Sequence, residues 1–195
     1  MTAQLIVVTG PPGAGKSAVA RELVGSFPTS ALVPGDDVFA FVRGGWIAPW
    51  LPEAHRQNEV VLGAAAAAAG RFAAGGYTVV YDGVVGPWFL PAFGAATALD
   101  ELAYAVLLPP EDVCLTRVAS RTGHGFSDAA AARHMYRQFA DANLDDRHVL
   151  CDPDGSPSEV AAEVLARLHG GLLGHGSRRP PAVGTPGPAP PRGPR

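Results

Sequence analysis

Gly10-Pro11-Pro12-Gly13-Ala14-Gly15-Lys16-Ser17 carries the pattern G-x-x-x-x-G-K-[ST] in full, and each position has a use in gripping phosphate. Its glycines let backbone N–H groups curl around phosphate oxygens, and a helix opening behind the loop adds the positive end of its dipole. The binding set expected here is Gly10, Gly13, Ala14, Gly15, Lys16, Ser17 and Ala18. Lys16 is a compact charge able to reach β- and γ-phosphates, where a planar guanidinium fits poorly. Of the 15 Lys and Arg residues, Lys16 is the single lysine. In a chain otherwise drifted to arginine, it stands at the one position where that drift should abolish function. The Ser17 hydroxyl suits Mg²⁺. A bare glycine-rich turn between strand and helix is the plain alternative.

Three acidic residues follow at places where ligands of open α/β sheets bind. Asp36 and Asp37 come directly after the second expected strand. A carboxylate there can accept a proton from an acceptor hydroxyl, the role expected of Asp37, or hold Mg²⁺ through water, the role expected of Asp36. The same pair could instead cap a helix starting at Val38. Asp82 ends the third strand, placed to assist Mg²⁺ and to face a substrate, and Asp82-Gly83 also reads as a simple turn. The expected metal set is therefore Ser17, Asp36 and Asp82.

Arginines supply the remaining charge. Arg117 and Arg121 lie four apart, as do Arg133 and Arg137, around the stretch Thr122-Gly123-His124-Gly125-Phe126. Four arginines flanking a glycine-bounded loop suit a lid over about 122–128 that closes on phosphates and steadies transferring charge. A salt-bridged helical hairpin with Glu111, Asp112 and Asp128 is the other reading. The catalytic set is then Lys16, Asp37, Arg121, Arg133 and Arg137.

These residues need a frame, and the pattern of the chain supplies one. Leu5-Ile6-Val7-Val8-Thr9 is a continuous apolar run closed by glycine, as in a buried parallel strand. Further strands are expected at 31–33, 78–81, 102–108 and 148–151. Helices are expected at 16–26, 53–74, from 110, from 128 and at 158–169. The alanine run Ala64–Ala69 suggests a close-packing helix face. Strands alternating with helices define an α/β domain with a mainly parallel sheet over residues 1–169. Residues 170–195 form a Gly/Pro/Arg-rich tail without the apolar surface to fold.

Composition excludes several alternatives. The 195 residues are 47% hydrophobic with a net charge of -3, so the chain buries a core and lacks the basic balance of a nucleic-acid binder. No apolar run is long enough to span a bilayer. Cys114 and Cys151 form neither a disulfide framework nor a zinc motif, which fits a reducing compartment. The start lacks the basic and apolar regions of a signal peptide, so the expected place is the cytoplasm.

At Gly10–Ser17, Gly35-Asp36-Asp37 and Arg117-x-x-x-Arg121 the chain resembles the small P-loop kinases: shikimate kinase, gluconate kinase, the adenylate kinase branch and chloramphenicol phosphotransferase. The resemblance covers most of residues 5–169. Arg121 to Phe126, with Gln138-Phe139, is similar to the gluconate kinase lid. Gly35-x-Asp37 looks more like chloramphenicol phosphotransferase, in which the matching aspartate is the proposed base. The resemblance implies a three-layer P-loop NTPase fold of the nucleoside monophosphate kinase type, with a five-stranded parallel sheet in order 2-3-1-4-5. It implies ATP and Mg²⁺ as cofactors, Arg117 stacked on adenine, and Arg121 at the phosphates. The shikimate kinase Asp-x-Asp and glycine triplet are absent. Residues 38–52, with Phe39, Phe41, Arg43, Trp46 and Trp50, match no sugar kinase segment. Arg43, Trp46 and Trp88 join Asp37 and Asp82 as the expected substrate contacts, although the aromatics could equally fill a helical subdomain core. The implied activity is ATP-dependent phosphoryl transfer to a hydroxyl of a small molecule, an antibiotic or sugar-like metabolite. The alternatives are a zeta-toxin-like kinase of nucleotide-activated sugars and a non-catalytic ATP-binding immunity protein resembling tunicamycin-resistance proteins.

Overall fold

In the computed structural model, which describes residues 5–120, 128–152 and 155–177, the first apolar run forms the middle of a sheet. Strand β1 (Leu5–Thr9) is buried along its whole length. It pairs in parallel with β3 (Thr78–Asp82) on one side and β4 (Glu101–Leu107) on the other. A strand covered on both faces has no solvent side to alternate with, hence its unbroken apolar sequence. β2 (Ser30–Pro34) and β5 (Val149–Leu150) complete the order β2-β3-β1-β4-β5. That is the order implied by the resemblance.

One face of the sheet is covered by α3 (His55–Ala74) and α4 (Leu90–Thr97), the other by α1 (Lys16–Gly25) and α7 (Pro157–His169). In α3, Ala65, Ala66 and Ala69 are buried while Ala64, Ala67 and Ala68 face out. Gly70 is so close to the Thr97 carbonyl that a Cβ there has no room. The alanine run is thus the close-packing face that lets α3 lie against α4. Between β4 and β5 run α5 (Glu111–Ser120) and α6 (Ala129–Ala140). Asp128 caps α6, its Oδ1 accepting from the N–H groups of Ala130 and Ala131, an arrangement that typically contributes about 1 kcal/mol.

The fold departs from the sequence reading in four places. The helix after β2 starts at Gly35 instead of Val38: α2 (Gly35–Phe39) takes both aspartates into its first turn, and neither caps it. Pro34 supplies the extended residue before the helix, and the helix dipole favours the two carboxylates. α4 was not foreseen, because Leu90-Pro91-Ala92-Phe93-Gly94 is short and contains a glycine, though proline in its first turn marks its start. β5 keeps only two of its four expected residues, with His148 in the 3-10 turn before it. The domain also runs past His169. A sixth strand, β6 (Gly174–Gly176), pairs antiparallel with β4 at Glu101–Ala103, and Leu173 before it is fully buried. The Leu172-Leu173 pair is the apolar surface that the tail reading overlooked. Residues from 178 on lie outside the described residues.

β6 and the turn before β5 meet at β4. The His148 Nδ1 donates to the Tyr104 carbonyl at 2.9 Å, and the His148 and His175 rings stand 6.2 Å apart. Burial holds both imidazoles below the usual histidine range. The unfolded chain therefore binds protons that the folded chain refuses, and stability is lost as pH falls below about 6.5. Thermal unfolding should show a lower midpoint at about pH 5.5 than at about pH 7.5. His148→Asn, which keeps a donor at the Nδ1 position, should shrink that difference; an undiminished difference refutes the assignment.

Candidate active site

The phosphate loop is held open by its neighbours before any ligand arrives. Gly13 has φ +83° and lies against the Cys114 backbone of α5, and Gly15, with φ +96°, is the left-handed residue before α1. Any side chain at Gly13 would collide with that backbone, so the loop can approach α5 only as glycine. The Lys16 Nζ donates to the Pro11 carbonyl at 2.9 Å, folded across its own loop. Lys16, Ser17 and Ala18 occupy the first turn of α1, with Gly10 at the end of β1.

The register β1–β3 pairs Val8 with Asp82, so the third strand ends beside the loop. Asp82 is buried, and the Ser17 side chain from the first turn of α1 is among the groups that act on its carboxylate. Burial raises Asp82 above the usual carboxylate range; the Ser17 hydroxyl and the charges of Lys16 and Arg21 oppose the rise, and Asp36 adds to it. The segment after Asp82 is clamped from β1 and from β4. The Val85 N–H donates to Thr9 Oγ1 at 2.8 Å, and the Val85 carbonyl accepts from Tyr104 Oη at 2.7 Å. The Asp82 carboxylate is therefore charged at a net cost to the ligand-free fold. Asp82→Asn should raise the unfolding midpoint of the ligand-free protein above about pH 4, with the gain vanishing below that pH, where the unfolded carboxylate is itself protonated. A lowered midpoint at neutral pH refutes it.

Of the two aspartates of α2, Asp36 is the one whose charge acts on Asp82 and on the Tyr81 phenol. Both Asp36 and Asp37 are exposed at the carboxyl edge of the sheet. The Tyr81 hydroxyl is buried without a hydrogen-bond partner. Burial raises its ionisation above the ordinary phenol range, with Asp36 and Asp82 adding to the shift.

A cavity of about 330 Å³ opens on the other side of the loop, lined by Ala14, Gly15, Ala18, Pro109, Arg117 and Asp152 among others. Its size lies in the range of small-molecule sites, and its walls are largely apolar, as a flat base requires. The Arg117 guanidinium lies over Gly15, 3.8 Å from where a Cβ would stand. The cavity and the Ser17–Asp82 pair flank the loop on opposite sides, as base and triphosphate ends of a nucleotide would need.

The remaining expected residues divide. Arg133 pairs with Glu111 at 3.0 Å, joining α6 to α5. That is a contact of the kind the hairpin reading expects, made by a side chain that is half exposed. Arg137 is exposed on the same helix. Arg121 and lid residues 122–127 lie outside the described residues. Trp88 is 41% exposed and packs on Phe139, ring centroids 5.3 Å apart; Trp46 meets Trp50 edge to face at 6.5 Å. Arg43 and Phe41 are exposed. Phe39 of the same insert is half-buried and packs against the core. Gln57 holds the insert's backbone in place through both the N–H and the carbonyl of Ile47. Sequence reasoning missed Arg21, which acts on Asp82 from one turn beyond Ser17, an i,i+4 relation on α1 that was legible. It also missed Asp152, and Tyr81.

The donor set suits Mg²⁺. Ser17, Asp82 and Asp36 offer hard oxygens, and the described residues contain no cluster of three or more His, Cys, Asp or Glu. Mg²⁺ in phosphoryl-transfer sites is held in that way, by one or two carboxylates, water and the substrate's own phosphates. Among the described residues, no helix is long and apolar enough to cross a membrane.

Sheet order, phosphate loop and flanking cavity define a P-loop nucleotide-binding α/β domain with a kinase-like fold. The chain belongs to the AAA_33 family, an AAA domain, which matches residues 5–143. No curated protein matches it in sequence. Among solved structures it is similar to a sugar kinase from Janibacter sp. HTCC2649, with 18% identity, TM-score 0.65, and coverage of 89% of this chain and 99% of that one. A gluconokinase from Sinorhizobium meliloti 1021 matches at 22% identity and TM-score 0.60, over 88% and 94%. The tunicamycin resistance protein of Deinococcus radiodurans matches at 13% identity and TM-score 0.63, over 85% and 95%. At these identities the likeness is one of fold.

Proposed function

We propose that the chain is an ATP-dependent phosphotransferase that moves the γ-phosphoryl group to a hydroxyl of a small molecule, an antibiotic or a sugar-like metabolite. The observation that carries this reading is a buried Asp82 at the carboxyl edge of the sheet, acted on by both Ser17 and Lys16 of the phosphate loop. Lys16 and the loop amides hold the β- and γ-phosphates, and the apolar cavity beside Arg117 takes the base. Ser17, with Asp82 and Asp36, would hold Mg²⁺, which when bound neutralises charge on the phosphates. Asp37 takes the proton from the acceptor hydroxyl as its oxygen bonds to the γ-phosphorus. The bond from that phosphorus to the bridging oxygen breaks, and ADP leaves. Arg121, with Arg133 or Arg137, steadies the charge on the transferring group. The acceptor lies against the insert, where Arg43, Trp46 and Trp88 offer a cation and apolar surface.

The test is an ADP-release screen across nucleoside, sugar and antibiotic acceptors, with Lys16→Ala as the control. Acceptor-dependent release that vanishes in Lys16→Ala supports the reading. The fold shared with the tunicamycin resistance protein carries a second one, an ATP-binding immunity protein. Tight antibiotic binding with no ADP release would favour it. Failure to bind ATP with Mg²⁺ would sink both.

A further inference from the structure

Tyr81 is, with Tyr104, one of the two largest fully buried side chains among the described residues, and its hydroxyl is the part of it that the core does not explain. The ring belongs where it is, 4.9 Å from Phe93 on the α3–α4 face of the sheet. The oxygen finds no hydrogen-bond partner. A buried polar atom left unpaired costs free energy that phenylalanine would not. Such a cost calls for a compensating use, and the position of the oxygen indicates one.

The hydroxyl sits between the backbones of two glycines. A Cβ built on Gly35 would stand 2.5 Å from it, and one built on Gly83 would stand 2.6 Å from it. Neither glycine has a left-handed φ, so space alone demands glycine at both. Gly35 immediately precedes Asp36, and Gly83 immediately follows Asp82. The oxygen therefore lies between the two turns that present the acidic residues of the site.

We propose that Tyr81 is a positioning residue: its hydroxyl is a spacer that sets the separation of the Gly35-Asp36 and Asp82-Gly83 turns, and so the geometry in which Asp36 and Asp82 meet a divalent cation. The inference rests on the cation-assisted nucleotide site proposed above and adds to it a residue that no phosphate or acceptor touches. The two glycines differ in a way that makes it sharp. Without the oxygen, the atoms nearest a Cβ on Gly35 are the Asp82 carbonyl oxygen and Tyr81 Cζ, both at 3.1 Å. A Cβ on Gly83 still meets ring carbons at 2.8 and 2.9 Å. Removing the hydroxyl therefore makes room at Gly35 and not at Gly83.

The experiment is a double-mutant cycle on the full chain, read by calorimetry as the gain in ATP affinity on adding Mg²⁺, together with the thermal unfolding midpoint. Tyr81→Phe should lower the Mg²⁺-dependent gain while leaving the midpoint unchanged or higher, because the unpaired hydroxyl is gone. Gly35→Ala alone should lower the gain by about 10–100-fold, the range found when groups that orient metal ligands are disturbed. The double variant Tyr81→Phe/Gly35→Ala should recover most of it, the methyl group taking the place of the oxygen. Tyr81→Phe/Gly83→Ala should not recover. The proposal is overturned if the Gly35 double variant does no better than the product of the single changes, or if Tyr81→Phe lowers the midpoint and leaves the gain intact. A wild-type chain with no Mg²⁺-dependent gain at all strikes instead at the proposed function, so the two failures are separable.

Discussion

Lys16→Arg should leave the protein folded and cut phosphoryl transfer by about 10²–10³-fold, the usual loss when one preorganised charge contact is removed. The substitution keeps the charge, so the expected loss is one of shape. The Lys16 ammonium lies within hydrogen-bonding reach of its own loop, 2.9 Å from the Pro11 carbonyl, and is the single lysine among 15 cationic side chains. A guanidinium at that place is longer, planar and forked. It must fit under a loop already fixed by Gly13 against α5, with the Arg117 guanidinium above Gly15. Lys16→Ala should lose at least as much. ADP release with the best acceptor from the screen, beside a thermal midpoint to show folding, decides the matter. Transfer by Lys16→Arg within a few-fold of the wild type would mean that the loop grips phosphate through its amides alone.

The parts of the fold that could be read from sequence are those where burial leaves a strong pattern. β1 has both faces covered, so five apolar residues in a row identify it. The same holds for the loop, because the G-x-x-x-x-G-K-[ST] spacing has little meaning outside a strand–loop–helix. α4 and β6 were less legible for a physical reason. Each is short, each is rich in glycine or proline, and each is held by partners distant in sequence: α3 for the first, β4 for the second. Local propensity says little where tertiary contacts decide. The site divides in the same way. Ser17 and Asp82 announce themselves by following or ending an element. Arg133 cannot be separated from a salt-bridge former until Glu111 is seen 3.0 Å away. Tyr81 looks like any core aromatic until its oxygen is found between two glycines.

Asp37→Asn should reduce transfer by about 10²–10⁴-fold, the span of a lost general base, while leaving affinity for ATP with Mg²⁺ close to that of the wild type. Asp36→Asn should show the converse, a weakened Mg²⁺-dependent gain in ATP affinity with a smaller loss in the chemical step. The two aspartates are adjacent in the first turn of α2, and successive helical residues point about 100° apart, so the two carboxylates leave the helix in different directions. The charge that acts on Asp82 and Tyr81 is that of Asp36, which ties Asp36 to the Ser17–Asp82 side of the site. Asp37, one residue further round the turn, is the carboxylate that the proposed function leaves for the acceptor. Asparagine preserves size at each position, keeps one acceptor oxygen, and replaces the other with an uncharged NH2 donor that cannot take a proton. Calorimetry with ATP and Mg²⁺, read beside single-turnover transfer, therefore separates binding from chemistry for both variants. If the two patterns come out exchanged, the base is Asp36 and the acceptor must approach from the Asp82 side. If neither variant slows transfer, proton removal is not assisted by this turn at all.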